Sequence, residues 1–241
     1  HGLAKALSIT THALLNEGAI RKKGDRAEGA RIFINPSRKG SFEELVTLVV
    51  SNEAAVAFGV SVVAAGFWDL LKWTWSNTVD RDYEPESHFA KRLAERKEPF
   101  IGEISEALEA PLEQIHRPIK KAEDMVISVS RPRVGEIIRL DEDSLMNVSL
   151  TTEGEVSENL RGNVTRYNIL SGFGRIYDDD LERTVSFRIT DNVTFDQREL
   201  ITWSMDQAQK GNPGKLFIDA NRVLSASGRV KRYIVQEVRK A

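Results

Sequence analysis

The sequence predicts an α+β protein: an N-terminal α/β domain with a β-hairpin and several helices, followed by a C-terminal five-stranded OB-like β-barrel. Three observations carry this reading. The C-terminal third reads as three strands, one helix and two more strands, the element order of the OB barrel. Near the N-terminus two β-rich runs flank a Pro, Ser and Gly turn, which is a hairpin pattern. Between these regions, Ala54–Trp68 holds fifteen residues without a charge and is apolar on every side, as a buried helix is.

The elements follow in order. Leu3, Leu7 and Leu14, with Ala4 and Thr11 between, keep helical spacing from the first residues. That helix opens at His1-Gly2 without a cap of its own, which fits a preceding native segment or a tag remnant, and the sequence leaves both open. Lys22–Glu28 is a charged loop. Ala30–Asn35 and Ser41–Val50 form the hairpin, with Arg38 and Lys39 at its tip as a solvated basic turn. The apolar run then continues past Asp69 and Lys72 through Leu70, Leu71, Trp73 and Trp75, giving a helix over about 53–78. Spanning a bilayer takes about 20 apolar residues, so a core helix, or one packed against other subunits, is the first reading and membrane insertion the second.

Ser76–Pro85 reads as a polar linker and Ser87–Lys97 as a charged helix. Ile101, Ile104, Leu108, Leu112 and Ile115 lie on one helical face, interrupted by Pro111, so a kink or two short helices are expected. Met125–Val129 and Glu136–Leu140 form a strand pair, and Asp141 is placed to cap a short helix through Val148. The polar, acidic Thr151–Asn159 makes the expected boundary, dividing a domain at 1–155 from a barrel at 156–241. In the barrel, Gly162–Leu170, Gly172–Asp178 and Thr184–Thr190 are the first strands. Asp196–Gln209 is the helix, and Lys215–Asp219 and Arg229–Val238 close the sheet.

Composition narrows the function. Of 241 residues 41% are hydrophobic and 29% charged, which excludes a disordered chain. The absence of cysteine excludes disulfides, thiolate zinc sites and cysteine nucleophiles. With no disulfide framework and no secretory signal, a cytoplasmic location is expected. From Glu158 onward there are 14 Lys and Arg against 11 Asp and Glu, whereas the remainder carries 20 against 25. An excess of three is compatible with a polyanion partner without requiring one.

No catalytic pattern stands out. His1, His12, His88 and His116 share no metal-ligand spacing, and HExxH, GxSxG and P-loop motifs are missing. Gly172-Phe173-Gly174 is a lone GxG. His116 reads as a helix-end cap. Asp178-Asp179-Asp180 reads as a solvated turn rather than a Mg²⁺ site. The expectation is a non-enzyme with no cofactor and no metal.

The barrel surface is more informative. Alternate strand residues face opposite sides. Val185, Phe187 and Ile189 belong inside with Ile176, Tyr167 and Ile169. This turns Arg166, Phe173, Arg175, Tyr177 and Arg188 outward on the strands where OB barrels carry ligands. Aromatic planes and guanidinium groups suit bases and phosphates, and equally a protein interface or interdomain packing. Arg229-Val230-Lys231-Arg232 adds basic charge to the same domain.

The runs ARIFINPSRKGSF at Ala30–Phe42, Gly59–Trp75 with its FWDLLKWTW ending, and NVTRYNILSGFGRIY at Asn163–Tyr177 resemble an uncharacterised family of two-domain bacterial proteins. The resemblance implies a bacterial source and an α/β domain followed by a small five-stranded barrel. It carries no catalytic residue and no ligand.

The expected function is therefore that of a binding or assembly protein whose barrel face recognises a partner chain or polymer, within a homo-oligomer built partly through the apolar helix. One alternative is nucleic-acid or nucleotide binding by the barrel face. The other is a membrane-active effector of toxin or antiphage type, using Phe58, Phe67, Trp68, Trp73 and Trp75.

Overall fold

The computed structural model describes residues 1–20, 27, 29–34, 46–50, 60–95, 100–122, 124–226 and 228–241. The expected hairpin tip at Arg38 and Lys39, and Phe58 with the first part of the apolar run, lie outside the described residues. The chain divides into two compact units, one of His1–Glu95 with Ile104–Val148, the other of Arg96–Glu103 with Ser149–Ala241.

The first unit contains α1 (Gly2–Leu15), the antiparallel pair β1 (Ala30–Ile34) and β2 (Val46–Val50), and α2 (Val60–Thr78). The helices α3 (His88–Glu95) and α4 (Phe100–Ile115, in this unit from Ile104 on) follow, then the antiparallel pair β3 (Ile127–Arg131) and β4 (Gly135–Leu140), and α5 (Glu142–Val148). The helix α2 is a core element. Leu70, Leu71 and Trp75 are wholly buried, Phe67 and Trp73 nearly so, and Trp68 is half-buried. The indole N–H of Trp75 donates to Thr10 Oγ1 of α1 at 3.0 Å. Its two buried threonines return their hydroxyls to the helix, Thr74 to Leu70 O at 2.8 Å and Thr78 to Thr74 O at 2.7 Å, so no partner is needed from outside.

Pro111 does not divide α4, which runs unbroken from Phe100 to Ile115. The missing proline N–H removes one helical bond. The buried face of Ile104, Leu108 and Leu112 spans the proline and holds the helix in one piece.

Asp69, the first charge after the apolar run, ties down the segment read as a linker. It accepts hydrogen bonds from Tyr83 Oη at 2.8 Å, Glu86 N at 3.1 Å and Ser87 N at 2.7 Å. Burial pushes its pKa up, but the hydrogen bonds from Ser87, Glu86 and Tyr83 outweigh it and hold the carboxyl below its usual value. The sign follows: Asp69 contributes stability that is complete above about pH 4 and is lost as pH falls through its folded value. D69N is expected to lower stability at neutral pH by about 1–3 kcal/mol and to reduce the loss on going from pH 7 to pH 3. Urea unfolding at both pH values measures this, and D69N matching the parent at pH 7 would contradict it.

The second unit is a closed barrel. Its strands are β5 (Leu150–Tyr167), β6 (Phe173–Asp178), β7 (Arg183–Ile189), β8 (Leu216–Ser225) and β9 (Val230–Lys240), with α6 (Phe195–Gln209) between β7 and β8. The sheet order is β5-β6-β7-β9-β8, closed by β5 against β8. All pairs are antiparallel except β7 with β9. This mixed, closed order with its helix after the third strand is the OB-like arrangement. Leu160, Val164, Ile176, Val185, Phe187 and Ile218 are among the side chains that fill the interior. The helix α6 starts on a capping box: Thr194 accepts from Gln197 N, and Gln197 accepts from Thr194 N.

Two expectations change here. Thr151–Asn159, read as the domain boundary, is the first half of β5, paired to β8 from Leu150↔Ser225 onward through two register shifts. Its side chains are polar because most stand in solvent, and it is held by backbone pairing with a few polar contacts, Asn159 N to Asp219 Oδ1 at 2.8 Å and Arg239 Nη2 to Asn159 Oδ1 at 3.0 Å. Ile169 does not point inward. The strand ends at Tyr167, and the turn after it leaves Ile169 72% and Leu170 97% exposed.

Candidate functional site

The site of interest is the outer face of β5, β6 and β7. Register sets its geometry, because paired residues share a face. Ile176↔Val185 and Gly174↔Phe187 face inward. Gly174 is required there: a Cβ would sit 2.2 Å from the Phe187 ring, which stacks on Tyr167 with centroids 6.1 Å apart. The lone GxG is thus accounted for, with Gly172 at φ +72° in the turn and Gly174 under an aromatic ring.

The intervening residues form three outward rows. The central one crosses four strands as Arg166↔Arg175, Arg175↔Ser186 and Ser186↔Arg232. One flanking row holds Asn163, Tyr177 and Thr184, and the other Phe173, Arg188 and Ile234. Arg166, Phe173, Arg175, Tyr177 and Arg188 are therefore on one face, as alternation predicts. Arg232 joins them, and sequence reasoning missed its place. The signal was the basic run at 229–232, which becomes informative only once β9 is known to lie parallel to β7.

Burial alters the character of this face. Phe173 is 2% exposed, so it presents no plane to a ligand, although it is not part of the barrel core. Tyr177 is 40% exposed. Arg166, Arg175 and Arg188 are half-buried, and Arg232 is 7% exposed. Arg175 is the distinctive member. Its Nε is buried without a hydrogen-bond partner. Burial first, and then the Arg166 charge beside it, lower its pKa from the usual guanidinium value. Gly102, which belongs to this unit, approaches the face closely: a Cβ there would lie 2.8 Å from Ser186 Oγ. Glu103 accepts hydrogen bonds at the rim from Ser171 Oγ and, at 3.4 Å, from Asn168 Nδ2.

The aspartate run is a solvated turn only in part: Asp179 and Asp180 lie in the turn and Asp180 is exposed, whereas Asp178 is the buried end of β6. Asp178 is 3% exposed, accepts Tyr233 Oη at 2.5 Å, and takes Asp180 N and Leu181 N at 2.9 Å on its other oxygen. Asp179 is ion-paired to Lys215 at 2.5 Å and lies 3.8 Å from Arg161. Among the described residues no group of three His, Cys, Asp or Glu is arranged to hold a metal.

The residues singled out for an oligomer or membrane contact fare differently from the barrel face. Phe67, Trp73 and Trp75 are buried inside the first unit and Trp68 is half-buried, so these side chains pack within that unit. No helix of the described residues is long and apolar enough to cross a membrane.

Fold and face together define a two-unit α+β protein with a closed OB-like barrel bearing a transverse row of arginines. The chain belongs to the family defined by the domain of unknown function DUF7946, matched over residues 1–144, and its barrel matches the family of unknown function DUF7947 over residues 157–239. No curated protein and no solved structure matches it.

Proposed function

We propose that this is a non-enzymatic binding or assembly protein whose barrel face engages an acidic surface of a partner chain. The observation that carries the reading is Arg175, a half-buried guanidinium set beside Arg166 with its Nε unpartnered. A partly desolvated cation next to a like charge is costly until a carboxylate or phosphate approaches, and such contacts are strong when made. The withdrawal of Phe173 favours a protein partner over a single strand, since strand binding rests on exposed aromatic planes.

Nucleic-acid binding stays as the second reading because Tyr177 is exposed one row from Arg175. Poly-glutamate and a mixed-sequence single-stranded oligonucleotide, titrated at low and high salt, separate the two. Poly-glutamate is expected to bind with a salt-dependent affinity that R175A weakens about tenfold. Preference for the oligonucleotide would transfer support to the second reading, and binding to neither would end both.

A further inference from the structure

His116 is wholly buried at the end of α4, and both ring nitrogens are engaged. Nδ1 lies 2.7 Å from the Leu112 carbonyl oxygen, and Nε2 lies 2.8 Å from Ser144 Oγ. A carbonyl only accepts, so Nδ1 carries a proton, and in the neutral ring Nε2 must then accept from Ser144. Ser144 is also part of the cap of α5. Its backbone N–H donates to Asp141 Oδ1 at 3.1 Å, and its Oγ lies 2.7 Å from both Asp141 N and Asp141 O. The hydroxyl thus has one proton and two acceptors within reach, His116 Nε2 and the Asp141 carbonyl.

We infer that Ser144 is a two-position proton switch that couples the protonation of His116 to the cap of α5. With His116 neutral, Ser144 donates to Nε2 and accepts from Asp141 N–H. When Nε2 takes a proton from solvent, Nε2–H donates to Ser144 Oγ, and the hydroxyl keeps its own proton but turns it to Asp141 O. Every polar atom is satisfied in both states, so the change needs no backbone break. Its consequence is a positive charge placed at the N-terminus of α5, where a cation is unfavourable.

The surrounding charges are paired off. Asp141 favours the charged ring, but its carboxylate is bound by Arg81 Nη2 at 2.6 Å. Lys120 opposes it and is itself held by Glu113 at 2.8 Å. Burial therefore decides the direction and keeps the His116 pKa below its ordinary value. In the unfolded chain the ring takes its proton first as pH falls, so stability declines below about pH 6.5 until the folded ring titrates as well.

Nitrogen-15 imidazole spectra of the full chain test the switch. The expected result is the Nδ1–H tautomer at neutral pH and a His116 midpoint below that of a free histidine. S144A removes the acceptor of the charged form, so the midpoint should fall further, by about one unit, and S144T should restore it. An Nε2–H tautomer in the unaltered protein would overturn the inference, even if S144A does not fold. An S144A midpoint equal to that of the parent would do the same.

Discussion

Replacing Asp178 by alanine is expected to cost about 3–5 kcal/mol of folding stability, measured as a fall in the urea midpoint. The change removes a buried carboxylate and strands three donors: the Tyr233 hydroxyl and the backbone N–H groups of Asp180 and Leu181. Burial, and then the hydrogen bond to Asp178, push the Tyr233 pKa above its usual range. The protonated hydroxyl is thus held in the fold. Its contribution is complete below about pH 10 and is lost as pH rises through the folded value. Y233F should cost about 1.5–3 kcal/mol alone and much less in the D178A background, because the two residues act through one contact. Additive losses would mean that Asp178 stabilises only its own turn.

Replacing Trp75 by alanine should cost about 3–5 kcal/mol, because a wholly buried indole leaves a cavity between α1 and α2 and the Thr10 hydroxyl loses its donor. W75F keeps most of the apolar volume and loses the N–H contact, so a smaller loss is expected. The pair distinguishes a core helix from one that serves other subunits or lipid. If W75A falls within about 1 kcal/mol of the parent in urea unfolding, α2 is not the centre of its unit.

Much of the fold was legible because alternation and helical spacing are local signals. Val185, Phe187 and Ile176 were assigned inward and are the barrel interior, and Asp141 was placed as a cap and is one. The misread segments share a cause. Thr151–Asn159 looks like a domain boundary because most of β5 there stands in solvent, yet Leu150↔Ser225 and the pairs beyond it hold its backbone to β8. Asp178-Asp179-Asp180 looks solvated throughout because nothing nearby shows that Tyr233 will approach Asp178 and Lys215 will approach Asp179. In both places the deciding contact is made by residues distant in the chain.

The candidate site divides along the same line. Side-chain parity put Arg166, Phe173, Arg175, Tyr177 and Arg188 on one face. Parity says which side a residue takes and not what covers it, so the burial of Phe173 was invisible.

By itself, then, the sequence determined the kind and order of the elements, including the strand–strand–strand–helix–strand–strand sequence of the barrel, since these follow from spacing within a few residues. Only the tertiary structure decided that β9 lies parallel to β7, which brings Arg232 into the row of Arg166, Arg175 and Ser186. The physical reason is that strand periodicity is a property of one segment. Barrel closure, and the desolvation of charge that comes with it, is a property of all five strands together.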